Sequence, residues 1–146
     1  MKSKTIMIAY KNDLWARSLC THFQGIGYRV EMVRSLSEMI RGVANGNIHV
    51  LLLDDEVDGV KACELVSVLK GMNRRIQVVL ISSEESLGVV RQLRGAGIFY
   101  QAMKPVDLVE VKSAVESAFE KIEREGFKEG LFSFFAPGRV LTLCSS

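Results

Sequence analysis

The chain has 146 residues, 48% hydrophobic and 25% charged, which fits one globular domain with a sizeable core and leaves no room for a second full domain. Its formal charge of +2 comes from 19 basic and 17 acidic residues scattered along the sequence, so no polyanion-binding stripe stands out and nucleic-acid binding is not expected. Cys20, Cys63 and Cys144 are too widely spaced for a zinc or disulfide pattern, and no run reaches the ~20 apolar residues of a membrane helix, so a reduced, cytoplasmic protein without a membrane span is expected.

Short apolar runs alternate with helical periodicity along the chain. Ile6–Tyr10 reads as a strand, and Leu14, Trp15, Leu19 and Phe23 then recur at the spacing of one helix face, with Gly25 and Gly27 as stops. Tyr28, Val30 and Met32 alternate with charged residues as a half-buried strand does. Ser35-Leu36-Ser37-Glu38 is a capping box that opens a helix through Met39, Ile40 and Val43, closed by Asn45-Gly46. Ile48–Leu53 and Ile76–Ile81 are nearly uninterrupted Val, Ile and Leu, the composition of central parallel strands covered on both faces. Helical patterns follow each, over Val60–Leu69 and Leu87–Leu93. After Gly95 and Gly97 comes a fifth strand, Ile98–Met103, and Asp107 with Glu110 is placed to cap a last helix through Val111, Val115 and Ile122.

Five such β-α units predict an α/β fold, a doubly wound five-stranded parallel sheet in the order 2-1-3-4-5, flavodoxin-like in outline. Its ligand crevice lies beyond the carboxyl ends of the first and third strands. Those ends carry Lys11-Asn12-Asp13 and Asp54-Asp55-Glu56, with Ser82-Ser83 after the fourth strand and Lys104-Pro105 after the fifth. An aspartate, a hydroxyl and a lysine therefore converge on one crevice.

With these residues in that order, residues 4 to 122 resemble the receiver domain of bacterial two-component response regulators. The matching pieces are "HVLLLD" ending on Asp54, "VVLISS" ending on Ser82 and Ser83, "GIFYQAMKP" with Gly97 ahead of Lys104, and Arg17 in the first helix. The resemblance implies that Asp54 is the phosphoacceptor, that Ser82 and Lys104 support the transferred group, and that Mg²⁺ assists. It also implies a cis bond before Pro105, a sensor histidine kinase or a second copy as partner, and an interaction face made of the fourth helix, fifth strand and fifth helix.

Three departures accompany the match. The two consecutive acids that hold the cation in the family fall on Lys11 and Asn12, with Asp13 one place late. Asn12, Asp13 and Asp54 remain the candidate metal ligands, but Lys11 adds positive charge where the ion belongs and is expected to pair with Asp54 in its stead. The loop after Asp54 lacks the family's proline and reaches Gly59 about three residues early, and Gln101 stands where the family has Phe or Tyr. Tyr100 is adjacent, but should face the other side of the pleat.

Other readings of the same residues stay open. Asn12 and Asp13 equally suit a helix cap, and Asp55 and Glu56 read as solvated loop acids. The expected function is signal transduction through protein-protein interaction, with weak or absent Mg-dependent phosphorylation and no further cofactor. The alternative is a working response regulator that accepts phosphate on Asp54 from a histidine kinase. A nucleotide-binding protein is disfavoured because "YKNDLWARS" holds no glycine after the first strand, and no base is paired with a nucleophile as an enzyme requires. The domain is expected over 1–125, with 126–146 as a C-terminal extension in which Leu131–Phe135 and Val140–Leu143 flank Pro137-Gly138 as a candidate β-hairpin.

Overall fold

A computed structural model of the chain describes residues 4–11 and 13–135, the side chains of Asp13 and of 127–135 excepted. The elements run β1 (Thr5–Ala9), α1 (Asp13–Gly25), β2 (Arg29–Val33), α2 (Leu36–Ala44), β3 (Val50–Asp54), β4 (Glu56–Val57), β5 (Val60–Lys61), α3 (Ala62–Met72), β6 (Gln77–Ser82), α4 (Leu87–Ala96), β7 (Tyr100–Met103) and α5 (Leu108–Phe135). Five strands form one parallel sheet in the order β2-β1-β3-β6-β7, which is the expected 2-1-3-4-5 arrangement once the β4-β5 pair is set apart.

Alternation along the central strands sorts the core into two layers. Met7, Ala9, Leu51, Leu53, Val78 and Leu80 pack under α2, α3 and Leu93 of α4. The opposite face, Ile6, Ile8, Val50, Leu52, Val79 and Ile81, packs under α1 and α5 through Leu19, Phe23, Val115 and Phe119. Every residue of β1, β3 and β6 is buried, as central parallel strands require, whereas β2 and β7 at the sheet edges keep exposed positions.

The local signals act as their chemistry dictates. Ser35 Oγ accepts the Glu38 backbone N–H and donates to the Glu38 carboxylate, so Ser35 caps α2 with Glu38 as its side-chain partner. Gly97 closes α4 at φ +107°, a left-handed conformation that a side chain resists, and its N–H donates to the Leu93 and Arg94 carbonyls. Asp107 Oδ1 accepts the Val109 N–H at the start of α5. Glu110 does not join that cap: its carboxylate accepts the Tyr100 hydroxyl at 2.8 Å.

Two expectations need correction. Val60 does not begin the third helix; Val57-Asp58-Gly59-Val60 is a tight antiparallel hairpin, with Asp58 at φ 55° and Gly59 at φ 80°. Asp-Gly is the pair that tolerates such a turn, so the helix waits until Ala62. Leu131–Phe135, expected as a strand, is the last part of α5. Continuing an existing helix adds one hydrogen bond for each residue fixed, whereas a hairpin needs a new nucleus, so a β-prone stretch of backbone follows the helix before it. The turn at Pro137-Gly138 and the run Val140–Leu143 lie outside the described residues.

Candidate functional site

Parallel registration brings Asp54, Ser82 and Lys104 to one end of the sheet. Asp54 sits opposite Ile81, Ser82 opposite Met103, and the Lys104 N–H continues the ladder to the Ser82 carbonyl at 2.9 Å. The Lys104-Pro105 bond is cis, as expected. The lysine side chain turns back over the sheet edge, and its ammonium lies 2.7 Å from Asp54 Oδ1 and 3.3 Å from Asp55 Oδ2.

Asp54 is buried, with 2% of its surface exposed, and its charge is answered from three directions. Oδ1 accepts from Lys104 Nζ and from the Asp55 backbone N–H at 2.8 Å, while Oδ2 accepts the Lys11 backbone N–H at 2.8 Å. Burial lowers the Lys104 pKa, but hydrogen bonding to Asp54 and the charges of Asp54 and Asp55 outweigh it and hold the ammonium above the ordinary lysine range.

Lys11 does not pair with Asp54 through its side chain, contrary to expectation. Its ammonium pairs with Glu56 on the hairpin, and only its backbone N–H reaches Asp54. Two effects explain the choice: Lys104 already occupies the buried carboxylate, and Glu56 offers Lys11 a partner without taking the ammonium out of water. The hydrogen bond and charge of Glu56 raise the Lys11 pKa, and Asp54 adds to that more weakly. Of the remaining candidate ligands, Asp13 opens α1, its side chain lies outside the description, and Asn12 is not among the described residues. Among the described residues, no three His, Cys, Asp or Glu side chains group so as to hold a metal ion.

Asp55 is the residue that the sequence reading missed. Far from being a solvated loop acid, it accepts from Ser82 Oγ through Oδ1, and from Ser83 N–H, Ser83 Oγ and Lys104 Nζ through Oδ2, at 3.2, 3.3 and 3.3 Å. Burial works against its charge, yet the Ser82 hydroxyl, the Ser83 N–H and Lys104 outweigh it and leave its carboxyl below the usual range. The short loop causes this placement: the Ala62 N–H donates to the Asp55 carbonyl at 2.8 Å, closing the hairpin and turning the Asp55 side chain towards β6. The signal that reveals it is Asp58-Gly59, which marks a two-residue turn only a few residues after the strand.

The remaining sequence candidates fall in supporting positions. Ser82 is fully buried, and its Oγ also accepts the Glu84 N–H at 2.8 Å. Gln101 is half-buried and donates from Nε2 to the Glu84 carbonyl at 3.1 Å, while Tyr100 points the other way, towards Glu110. His49 lies at the opposite end of β3, where its Nδ1 accepts the Thr5 N–H at 3.1 Å and burial lowers its pKa. Trp15, Cys20 and Cys63 are partly buried against the two core layers.

The comparisons with known proteins agree with this architecture. The response regulator receiver domain matches residues 6–116, about three quarters of the chain. The chain is 26% identical over 110 residues to the Fimbriae Y protein of Salmonella typhimurium, covering 73% of this chain and 46% of that protein. It is 25% identical over 119 residues to the DNA-binding transcriptional regulator NtrC of Azospirillum brasilense, covering 81% of this chain and 24% of that protein. The chain thus spans less than half the length of the curated relatives it matches. In fold, it is similar to a CheY-like receiver domain protein from Methanospirillum hungatei, with a TM-score of 0.79 at 19% identity over 85% of this chain and 99% of the other. On the strength of the match over residues 6–116, the chain belongs to the response regulator receiver domain family of two-component signalling.

Proposed function

We propose that this receiver domain transmits its signal through a protein-protein surface, with weak or absent Mg²⁺-dependent phosphorylation of Asp54 and no turnover of a separate substrate. The observation that carries the reading is the Lys11-Glu56 ion pair beside an Asp54 carboxylate whose two oxygens already accept three donors. Mg²⁺ demands near-octahedral oxygen coordination and gives up water reluctantly, so it needs converging carboxylates. Here one of the two acid positions carries an ammonium, and the shared aspartate has little lone-pair capacity left. The described donors therefore do not fit the ion, and no step of this reading runs through it.

The surface in this reading is the face built by α4, β7 and α5, where Leu87, Tyr100, Met103, Leu108 and Val109 are exposed. Exposed apolar side chains grouped in this way suit a protein partner. A sensor histidine kinase or a second copy of the chain is the partner of this reading, in the cytoplasm. Among the described residues, no helix is long and apolar enough to cross a membrane.

A second reading, a response regulator that accepts phosphate on Asp54, is favoured by one observation. Asp54, Ser82 and Lys104 do meet, as acyl-phosphate chemistry requires, with the Lys104 ammonium 2.7 Å from the acceptor oxygen. Intact-mass detection separates the two readings: the purified chain is incubated with a small phosphodonor and Mg²⁺ beside Asp54→Asn. The first reading predicts no added phosphoryl mass under conditions that label an ordinary receiver. A single adduct on the wild type that Asp54→Asn lacks establishes the second.

A further inference from the structure

The polar groups at the carboxyl end of the sheet contain a filled anion cradle. Ser82 Oγ, Ser83 N–H, Ser83 Oγ and Lys104 Nζ come from two strand ends, and all four point at one carboxylate, that of Asp55. Hydroxyls, a backbone N–H and an ammonium converging from different elements are the donor set that an oxyanion takes. In this chain the oxyanion is covalently resident. It arrives there because the loop after β3 is cut to a hairpin and the Asp55 carbonyl is held by the Ala62 N–H.

The same contacts lead outward. Ser82 Oγ donates to Asp55, which leaves its lone pairs to accept the Glu84 N–H at 2.8 Å, and the Glu84 carbonyl accepts Gln101 Nε2 at 3.1 Å. Gln101 lies on β7 between Tyr100 and Ala102, at the edge of the exposed face described above. A hydroxyl has one proton. If Asp55 is not there to take it, Ser82 is at liberty to rotate, and the orientation of its lone pairs towards Glu84 is no longer fixed.

We infer that Asp55 is an internal anion that stands where an added oxyanion would sit, and that through Ser82 and Glu84 it positions Gln101, holding the α4-β7-α5 face in one arrangement without covalent modification. The inference deepens the reading above and rests on it, since a face held constitutively has a use only where phosphorylation of Asp54 is weak or absent. Asp55 is a positioning residue in this account. It also excludes a competitor: a phosphoryl group on Asp54 would require the Ser82 and Lys104 donors that Asp55 already engages.

Chemical rescue tests this on the whole chain. Asp55→Ala removes a carboxylate and leaves room for formate, the fragment that was lost. In ¹⁵N-resolved NMR spectra, Asp55→Ala is expected to displace the Ser83 and Glu84 backbone amides and the Gln101 side-chain amide. Formate at tens of millimolar is expected to draw all three back towards their wild-type positions, with chloride at equal ionic strength having no such effect and the wild type indifferent to both. A merely structural role for Asp55 would give no formate-specific return. A Gln101 amide that Asp55→Ala leaves in place, or that formate does not restore, overturns the inference. Should the alanine variant not fold, Asp55→Asn keeps the shape and replaces one acceptor oxygen by a donor; the same Gln101 displacement is expected, and its absence overturns the inference equally. The two failures are distinguishable, because the spectra are recorded without Mg²⁺ or phosphodonor. Phosphoryl labelling of wild-type Asp54 overturns the reading of weak or absent phosphorylation, whereas a Gln101 amide insensitive to Asp55 in an unlabelled protein overturns this one.

Discussion

Lys104→Met removes the only side-chain cation that contacts Asp54 among the described residues while keeping most of the lysine's apolar length. The magnitude follows from the setting of the pair. Breaking a fully buried ion pair costs about 3–5 kcal/mol, and an exposed one is worth ~0–1 kcal/mol. The Asp54 side chain is 3% exposed and that of Lys104 29%, and Asp54 keeps two backbone N–H donors after the change. An intermediate loss of about 2 kcal/mol is expected. With an unfolding entropy of roughly 2.1 cal/mol/K per residue over 146 residues, this corresponds to a Tm lower by about 6 °C. The pH dependence supplies a sign. The Lys104 pKa is raised on folding, so the contribution of its charge is complete below the ordinary lysine value of 10.5 and is lost as pH rises through the higher folded value. Urea unfolding of wild type and variant should therefore show a constant gap across neutral pH that narrows in strong alkali. A gap near zero at neutral pH, or one that widens in alkali, refutes the reasoning.

Three further outcomes are expected. Asp55, whose carboxyl is lowered on folding, contributes stability that is present above the ordinary aspartate range and lost as pH falls through its folded value; urea midpoints of Asp55→Asn should thus be lower at neutral pH yet flatter on the acid side of pH 3.8. Ser82→Ala leaves a part-buried Glu84 N–H unpaired and takes one donor from Asp55, so calorimetry should record a loss of about 1–2 kcal/mol. Gly59→Ala places a Cβ in open space but at φ +80°, so its cost of about 1 kcal/mol is a backbone cost and should appear as a lower urea midpoint, partly shared with Asp55→Asn because the same turn aims that carboxylate.

The sheet was legible in the sequence because its central strands and amphipathic helices follow simple periods. Ile48–Leu53 and Ile76–Ile81 announce buried parallel strands, and the Ser35-Glu38 box and Gly97 mark helix ends by chemistry that acts locally. Topology then placed Asp54, Ser82 and Lys104 at one crevice. What escaped was decided by loop geometry and by competition between partners. Whether an ammonium pairs with Asp54, Asp55 or Glu56 depends on differences in distance and burial that no periodicity records: Lys104 reaches the buried acid, and Lys11, itself exposed, pairs with the half-buried Glu56. Asp55 reads as a loop residue because nothing in its own surroundings in the sequence points inward; the Asp58-Gly59 turn three residues on shortens the loop and aims the carboxylate at Ser82. Leu131–Phe135 has strand propensity in a short window, but propensity there says nothing about a helix arriving from upstream.

The measurement that bears most directly on the account is a Mg²⁺ titration of the wild-type chain, followed through the Lys11, Asp54 and Asp55 backbone amides up to tens of millimolar at constant ionic strength. The account predicts only small, non-saturating shifts at these amides, since Lys11, Lys104 and the hairpin already satisfy the carboxylates. A saturable response with a millimolar or tighter midpoint, absent in Asp54→Asn, would contradict it and return the site to the metal-assisted phosphoacceptors of its family.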